Sequence, residues 1–300
     1  MSESYVDIES ISELCELYGV GKPKHPLITV IDMGDHQINR PKEALTYRLG
    51  FYTIFCKKFT GTLRYGRSYY DFSEGSLMFT APGQVISTSP EMNIESGWGF
   101  FFHPDLVNTG ALGRKMNDYT FFQYEANEAL HVSEDEKDIL TTCIQNIRKE
   151  YMQNIDKHTN GLIQANIELL LNYCSRFYDR QFYTREKVNT DVVQQFEKLI
   201  KDYFAGGTLI NTGLPNVGYF ASRMNLSPNY LSDLLHRFTG KTTQEHIHLE
   251  MVDKAKSLLW STQKTVSEIA YTLGFEHPSH FTRLFKNKTG YAPSDYRHLN

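Results

Sequence analysis

Apolar positions change their spacing twice along this chain. After a short helical lead-in over residues 1–24, residues 25–103 hold brief β-type runs between turn residues: 27–31 (LITVI), 50–56 (GFYTIFC), 61–66 (GTLRYG), 76–83 (SLMFTAPG) and 97–102 (GWGFFF). Short runs with Gly and Pro punctuation predict a small antiparallel barrel or sandwich. Helical spacing takes over at Ser133, which with Glu136 predicts an N-cap and capping box, and runs on through Ile139, Cys143, Ile144 and Ile147. A second helix is predicted over 162–178. Its Ile163, Ile167, Leu170, Cys174 and Phe177 follow 4-3-4-3 spacing, which suits either the seam of a short coiled coil or a stripe packed on the barrel. Residues 179–190 (DRQFYTREKVNT) are polar and aperiodic and are predicted to link two domains, 1–186 and 187–300. Beyond them every periodic segment reads as helix, and the fold class expected is α+β.

The C-terminal part carries one pattern twice. The first copy is VGYFASRMNL (217–226) followed by SPNYLSDLLHRFTG (227–240); the second is VSEIAYTLGF (266–275) followed by EHPSHFTRLFKNKTG (276–290). Ala270 follows Ala221 by 49 residues and Gly290 follows Gly240 by 50, so the second turn holds one extra residue. Two helices crossing at a steep angle need a small residue at the crossing, supplied by Ala221 and Ala270. Four residues later the chain must leave the first helix, where positive φ suits Gly274 best and Asn225 next best. Ser227 is a natural N-cap ahead of Pro228 at the first helical position. Leu231, Leu234, Leu235 and Phe238 then point to a core, as do Phe281, Leu284 and Phe285. This is the layout of two helix-turn-helix units. Between them Ile247, Met251, Ala255, Leu258 and Leu259 form one stripe of a connecting helix, and Thr265 with Glu268 opens the next. A rigid connecting helix would hold the two second helices about one DNA turn, roughly 34 Å, apart.

Composition changes this picture little; charge adds to it. From Lys187 onward there are 13 Lys and Arg against 10 Asp and Glu with six His, while the preceding residues hold 18 against 25. A mildly basic C-terminal half suits a nucleic-acid partner. Cys15, Cys56, Cys143 and Cys174 lie far apart without a CxxC pair, so disulfide and zinc frameworks are not expected. The acidic start MSESYVDIES lacks the basic and apolar regions of a secretory leader, and no apolar run reaches membrane-spanning length. A cytoplasmic protein without membrane attachment is expected.

Residues 190–300 resemble the AraC/XylS family of bacterial transcription regulators. The stretch VSEIAYTLGFEHPSHFTRLFKNKTGYAPSDYR matches that family's signature at Ile269-Ala270, Leu273-Gly274-Phe275, Ser279, Phe281, Arg283, Phe285-Lys286, Gly290, Pro293 and Tyr296-Arg297. Two positions depart from it: Asn225 replaces a frequent Gly, and Met251 stands where an Arg is common, so no charged DNA contact is expected from the linker helix there. The resemblance implies two helix-turn-helix units reading neighbouring major grooves of double-stranded DNA. It places base contacts mainly at Asn229, Ser232, Asp233, Ser279, His280 and Arg283. Periodicity adds His236 and Lys286 as outward positions, and Lys264, Lys286, Lys288 and the helix N-termini are expected on phosphates.

Residues 1–186 resemble, more faintly, the cupin-like sensing and dimerisation domain of that family. This implies a small-molecule effector and a homodimer. Arg64 and Arg67, alternating with aromatics, are the candidate effector anchors. A metal cupin needs an HxH pair with a Glu and a further His; the barrel segment offers Arg67, Tyr69 and Glu74 instead, so neither metal nor cofactor is expected and an enzyme is not the reading. The HxH at His246 and His248 falls on the linker helix and reads as two polar residues at the surface. The aromatics Tyr65, Tyr69, Tyr70, Phe72, Phe79, Trp98 and Phe101 read as core, and His25, His36 and His103 as structural or surface residues. Activation and repression both fit this layout; an activator would add RNA polymerase to the partners.

Overall fold

The computed structural model divides into two compact units, Met1–Thr184 and Arg185–Asn300. The structure describes residues 5–34, 46–60, 62–65, 68–71, 76–87, 93–125, 128–184, 186–205, 209 and 213–299, with backbone alone for 57–71, 93–95 and 186–188. Glu74, Phe72, His36 and Arg67 lie outside the described residues.

The N-terminal unit is α+β. Its strands are β1 (Val6–Ile8), β2 (Ile28–Asp32), β3 (Thr46–Leu49), β4 (Tyr52–Thr60), β5 (Thr62–Tyr65), β6 (Ser68–Asp71), β7 (Ser76–Thr80), β8 (Val85–Ser87), β9 (Asn93–Phe102) and β10 (Leu130–His131). They form two five-stranded sheets, ordered β1-β3-β8-β5-β6 and β10-β7-β4-β9-β2. Helix α1 (Ile11–Tyr18) follows β1, short helices α2 (Pro104–Asn108) and α3 (Ala111–Lys115) follow β9, and α4 (Glu134–Met152) and α5 (Thr159–Thr184) close the unit. Strand pairing among the described residues closes no barrel, which corrects that part of the expectation. The physical reason is at the edges, where helix side chains take the place of a closing strand. The Val30 N–H on β2 donates to the Tyr151 hydroxyl of α4 at 3.1 Å, and the His131 N–H on β10 donates to Gln181 of α5 at 2.7 Å.

Phe101 packs edge-on to Phe51 and Phe55, while Phe79, Phe121 and Tyr178 form a second ring cluster. Phe79, Trp98 and Phe101 are buried, as expected. Helix α4 starts at the Ser133–Glu136 capping box. Helix α5 runs six residues past the expected end. Its polar stretch hides the period because polar side chains there are satisfied by hydrogen bonds: buried Gln181 donates to the Ala129 carbonyl, and half-buried Arg180 grips Glu136 with two bonds of 2.9 and 2.7 Å. The 4-3-4-3 stripe is spent inside this unit. Ile163, Ile167, Leu170 and Cys174 are 0% exposed and Phe177 is 5% exposed, so these side chains cannot form a seam with a second copy.

The C-terminal unit is all helix: α6 (Glu186–Ala205), α7 (Val217–Arg223), α8 (Pro228–Thr239), α9 (Thr243–Ser261), α10 (Val266–Thr272), α11 (Pro278–Thr289) and α12 (Pro293–Arg297). One core joins them, with Phe196, Phe220, Leu231, Leu235, Ile247, Ala255, Ile269, Phe281 and Phe285 fully or almost fully buried. Each such phenylalanine contributes roughly 1.5–3 kcal/mol by leaving water. Met251 is part of this core, which accounts for an apolar residue at that position. No described helix is long and apolar enough to cross a membrane.

Candidate nucleic-acid interface

The two turns close by the same hydrogen bond. The Leu226 N–H donates to the Ala221 carbonyl and the Phe275 N–H to the Ala270 carbonyl, each at 3.0 Å. Asn225 and Gly274 take the left-handed conformation between them, with φ of 53° and 84°. Ala221 and Ala270 are buried where α7 meets α8 and α10 meets α11. Both second helices end alike: Gly240 and Gly290 are left-handed and donate to the carbonyls of His236 and Lys286 at 2.8 Å. The threonine before each glycine turns its hydroxyl back onto the helix, Thr239 to Leu235 and Thr289 to Phe285. The repeated Thr-Gly is therefore a helix stop.

On α11, Ser279, His280, Arg283 and Lys286 are all exposed while Phe281 and Phe285 are buried beneath them. Ser279, Arg283 and Lys286 fall on one side of the helix at i, i+4 and i+7. Its N-cap, His277, makes no side-chain cap bond, and the His280 N–H donates instead to the His277 carbonyl at 3.0 Å. Sequence reasoning missed His277 itself, exposed with its ring 5.5 Å from that of His280; the signal was the extra residue in this turn. Lys288 is exposed but lies off that side, near the start of α9. There the Glu245 carboxyl is held below its usual pKa by the Thr242 N–H and hydroxyl, with Lys288 and His236 adding to the effect.

On α8 the assigned residues are more enclosed. Asn229, Ser232 and Asp233 are half-buried and His236 is exposed. Ser227 caps the helix by accepting from the Tyr230 N–H at 3.2 Å. The Ser232 hydroxyl donates to buried Thr243 at 3.1 Å, tying α8 to the first turn of α9. Lys264 donates to Thr272 at 3.2 Å beside the start of α10. Arg297 serves the fold, because it donates to the Leu259 carbonyl at 3.2 Å and to the Lys264 carbonyl and so holds the end of α9.

The histidine pair on α9 differs from the expected surface residues. His246 is half-buried, its Nε2 2.8 Å from the Thr239 hydroxyl and its ring edge-on to Phe196. Burial pushes its pKa down, and Lys241 pushes the same way. Among the described residues no group of three or more His, Cys, Asp or Glu could hold a metal ion. Of the effector candidates only the backbone of Arg64 is described, paired with Tyr69 and Ser87.

Two helix-turn-helix units sharing one core and joined by one helix are the layout of a DNA-binding domain. A helix-turn-helix domain family matches residues 220–298. The chain is similar to the uncharacterized HTH-type transcriptional regulator YijO of Escherichia coli, 24% identical over 75% of this chain and 78% of that one. It is also similar to the HTH-type transcriptional regulator YidL of Escherichia coli, 40% identical over 26% of this chain and 27% of that one. A third likeness is to the xylose operon regulatory protein of Escherichia coli, 28% identical over 42% of this chain and 30% of that one. The chain thus spans most of the first relative but about a third or less of the other two. The C-terminal unit is a DNA-binding domain of the AraC/XylS type, the type found in transcription regulators.

Proposed function

We propose that the protein is a sequence-specific transcription regulator acting on double-stranded DNA as a homodimer. Residues 187–300 read the operator. Residues 1–186 are a cupin-like sensing and dimerisation domain that takes a small effector. The observation that carries the DNA reading is the exposed row Ser279, Arg283 and Lys286 on a helix whose opposite side is locked into the shared core. Arg283 reads guanine through O6 and N7, Asn229 suits adenine and Asp233 cytosine, with Ser232, Ser279 and His280 completing the base contacts. His236, Lys286 and Lys288, with the N-terminus of α11, serve the backbone.

For the dimer, the buried stripe of α5 is unavailable. The opposite face of the same helix carries Leu162 and Leu169, 47% and 45% exposed, as the apolar surface a second copy would cover. Arg64 and Arg67 are the sequence-derived effector anchors. The setting is the cytoplasm, no cofactor is called for, and an activator would also engage RNA polymerase. Selection of bound duplexes from a random pool tests the reading. The expected product is a bipartite motif with halves about 10–10.5 base pairs apart; recovery of no enriched sequence overturns it.

A further inference from the structure

Residues 1–186 are acidic in balance, with 18 Lys and Arg against 25 Asp and Glu, yet three of the cations meet around one cleft. Residues 19–24, Gly-Val-Gly-Lys-Pro-Lys, form one wall. Gly19 and Gly21 have φ of 65° and 79°, a conformation glycine enters without the penalty a Cβ brings, so the loop bends and presents Lys22 and Lys24. The last turns of α4 form the facing wall with Arg148, Tyr151 and Met152, and β2 forms the floor. The cleft, open to solvent on one side, has a volume of about 560 Å³, within the roughly 300–1,000 Å³ of small-molecule sites.

The polar groups of the floor are already occupied. The Tyr151 hydroxyl accepts the Val30 N–H and is bonded to Thr29, which is also bonded to the Cys15 thiol. Asp32, the carboxylate of the cleft, accepts the Gly34 N–H at 2.9 Å in its own turn. Among the described residues no ion pair engages Lys22, Lys24 or Arg148. Three cations facing one concavity against a single lining carboxylate leave a net positive potential that an anion of matching size would neutralise. Pro23 and Met152 offer apolar surface beside them for a carbon skeleton.

We propose that this cleft binds a small organic anion with at least two negative charges, a phosphate ester or a polycarboxylate, through Lys22, Lys24 and Arg148, and that this anion is the regulator's effector. The second half rests on the reading of this unit as a sensing domain; the first does not.

Calorimetric titration and thermal unfolding of the full chain test it. Fructose 1,6-bisphosphate, glucose 6-phosphate and citrate are the probes, with inorganic phosphate and glucose as references. At least one organic anion should bind and raise Tm, glucose should not, and Lys24→Gln/Arg148→Gln should weaken binding roughly tenfold or more. The comparison of the esters with citrate identifies the anion class. All three side chains are exposed, so the variants should keep the wild-type circular dichroism spectrum. Silence of all three probes, or binding that survives Lys22→Gln/Lys24→Gln/Arg148→Gln, overturns the site. Inorganic phosphate binding as tightly as the esters overturns the organic part. Operator affinity measured with and without the bound anion separates the halves: a change lost in the variant supports the effector role. Anion binding with unchanged operator affinity overturns that role and leaves the site standing. Failure to select any operator would instead count against the DNA reading.

Discussion

In the first helix-turn-helix the chain turns through Asn225, the recognition helix is capped by Ser227, and its assigned face is half-buried with Ser232 bonded to Thr243. In the second it turns through Gly274, the recognition helix starts without a side-chain cap, and the corresponding face is open. The supports differ too. The first unit leans on α6 through the Phe196–Phe220 and Tyr203–Tyr219 ring contacts, the second on α12 through Phe285–Tyr296. One backbone device, repeated, thus serves two surroundings. The first recognition helix is anchored on both sides, whereas the second spends fewer of its polar groups on the protein and keeps more for a ligand.

The sharpest way to break this comparison is at the turns. A Cβ on Gly274 would stand 2.8 Å from the Gly213 Cα and carbonyl carbon and 2.8 Å from the Leu209 carbonyl oxygen, backbone atoms that cannot swing aside. Gly274→Ala also forces a side chain to φ 84°, so a loss of about 3 kcal/mol or more is expected. Asn225→Ala takes the left-handed penalty, about 1–2 kcal/mol, and Asn225→Gly should lose less than Asn225→Ala because glycine carries no such penalty. Urea unfolding followed by Trp260 fluorescence in a Trp98→Phe background reads the C-terminal unit alone. Equal losses for the two alanine variants would mean that the second turn is not held by the 209–213 backbone.

Base reading gives the next effects. Arg283→Ala should cost roughly 1–3 kcal/mol on the selected operator and relax one base position, with random DNA affected much less. Unchanged discrimination in a gel-shift competition would remove Arg283 from the base-reading set. Lys286→Ala should weaken all duplexes alike and flatten the salt dependence by about one unit; a sequence-selective loss would contradict a phosphate role. Ser232→Ala sharpens the contrast between the units. Because its hydroxyl donates to a buried partner, about 1 kcal/mol of folding stability should go with it. Lost discrimination at full stability would keep the base contact proposed for Ser232 and remove its anchoring role.

What the sequence made legible is what is local. The caps at Ser133, Ser227 and Thr265 depend on residues a few positions apart, and the structure has them all. The repeat survived because each copy must solve the same turn. What stayed hidden is non-local. The short strands β3, β6 and β8 carry three or four residues each, too few for a period to show. The stripe on α5 looks the same whether its cover is another chain or its own unit. Gln181 and Arg180 look like linker residues until their partners on β10 and α4 are known. The close approach of Gly213 to Gly274 spans 61 positions and leaves no trace in either neighbourhood.

The smallest expected effect also falls at the join between the units, where His246 of α9 meets the end of α8. Burial, then Lys241, lowers its pKa, with Glu197 and Glu245 opposing. Unfolding returns the ring to its ordinary value near 6.5, so the unfolded chain takes up a proton at a pH where the folded ring is still neutral. Stability from this group is therefore complete above about pH 6.5 and is lost as pH falls from there to the lowered folded value. The capping carboxylates Glu245 and Glu268, also lowered, lose their contribution only below their ordinary value near 4.5, so the two effects separate on the pH axis. His248, lowered by burial and then by Lys288, follows the same direction as His246. Urea midpoints for the C-terminal unit should accordingly decline between pH 7 and 5, and His246→Gln should remove part of that slope while Gln keeps a donor for Thr239. Uptake of one proton on unfolding limits the change in slope to about 1.4 kcal/mol per pH unit. A His246→Gln variant that declines as steeply as the wild type would show that the ring is hydrated in solution and that α8 and α9 meet less tightly than their 2.8 Å contact implies.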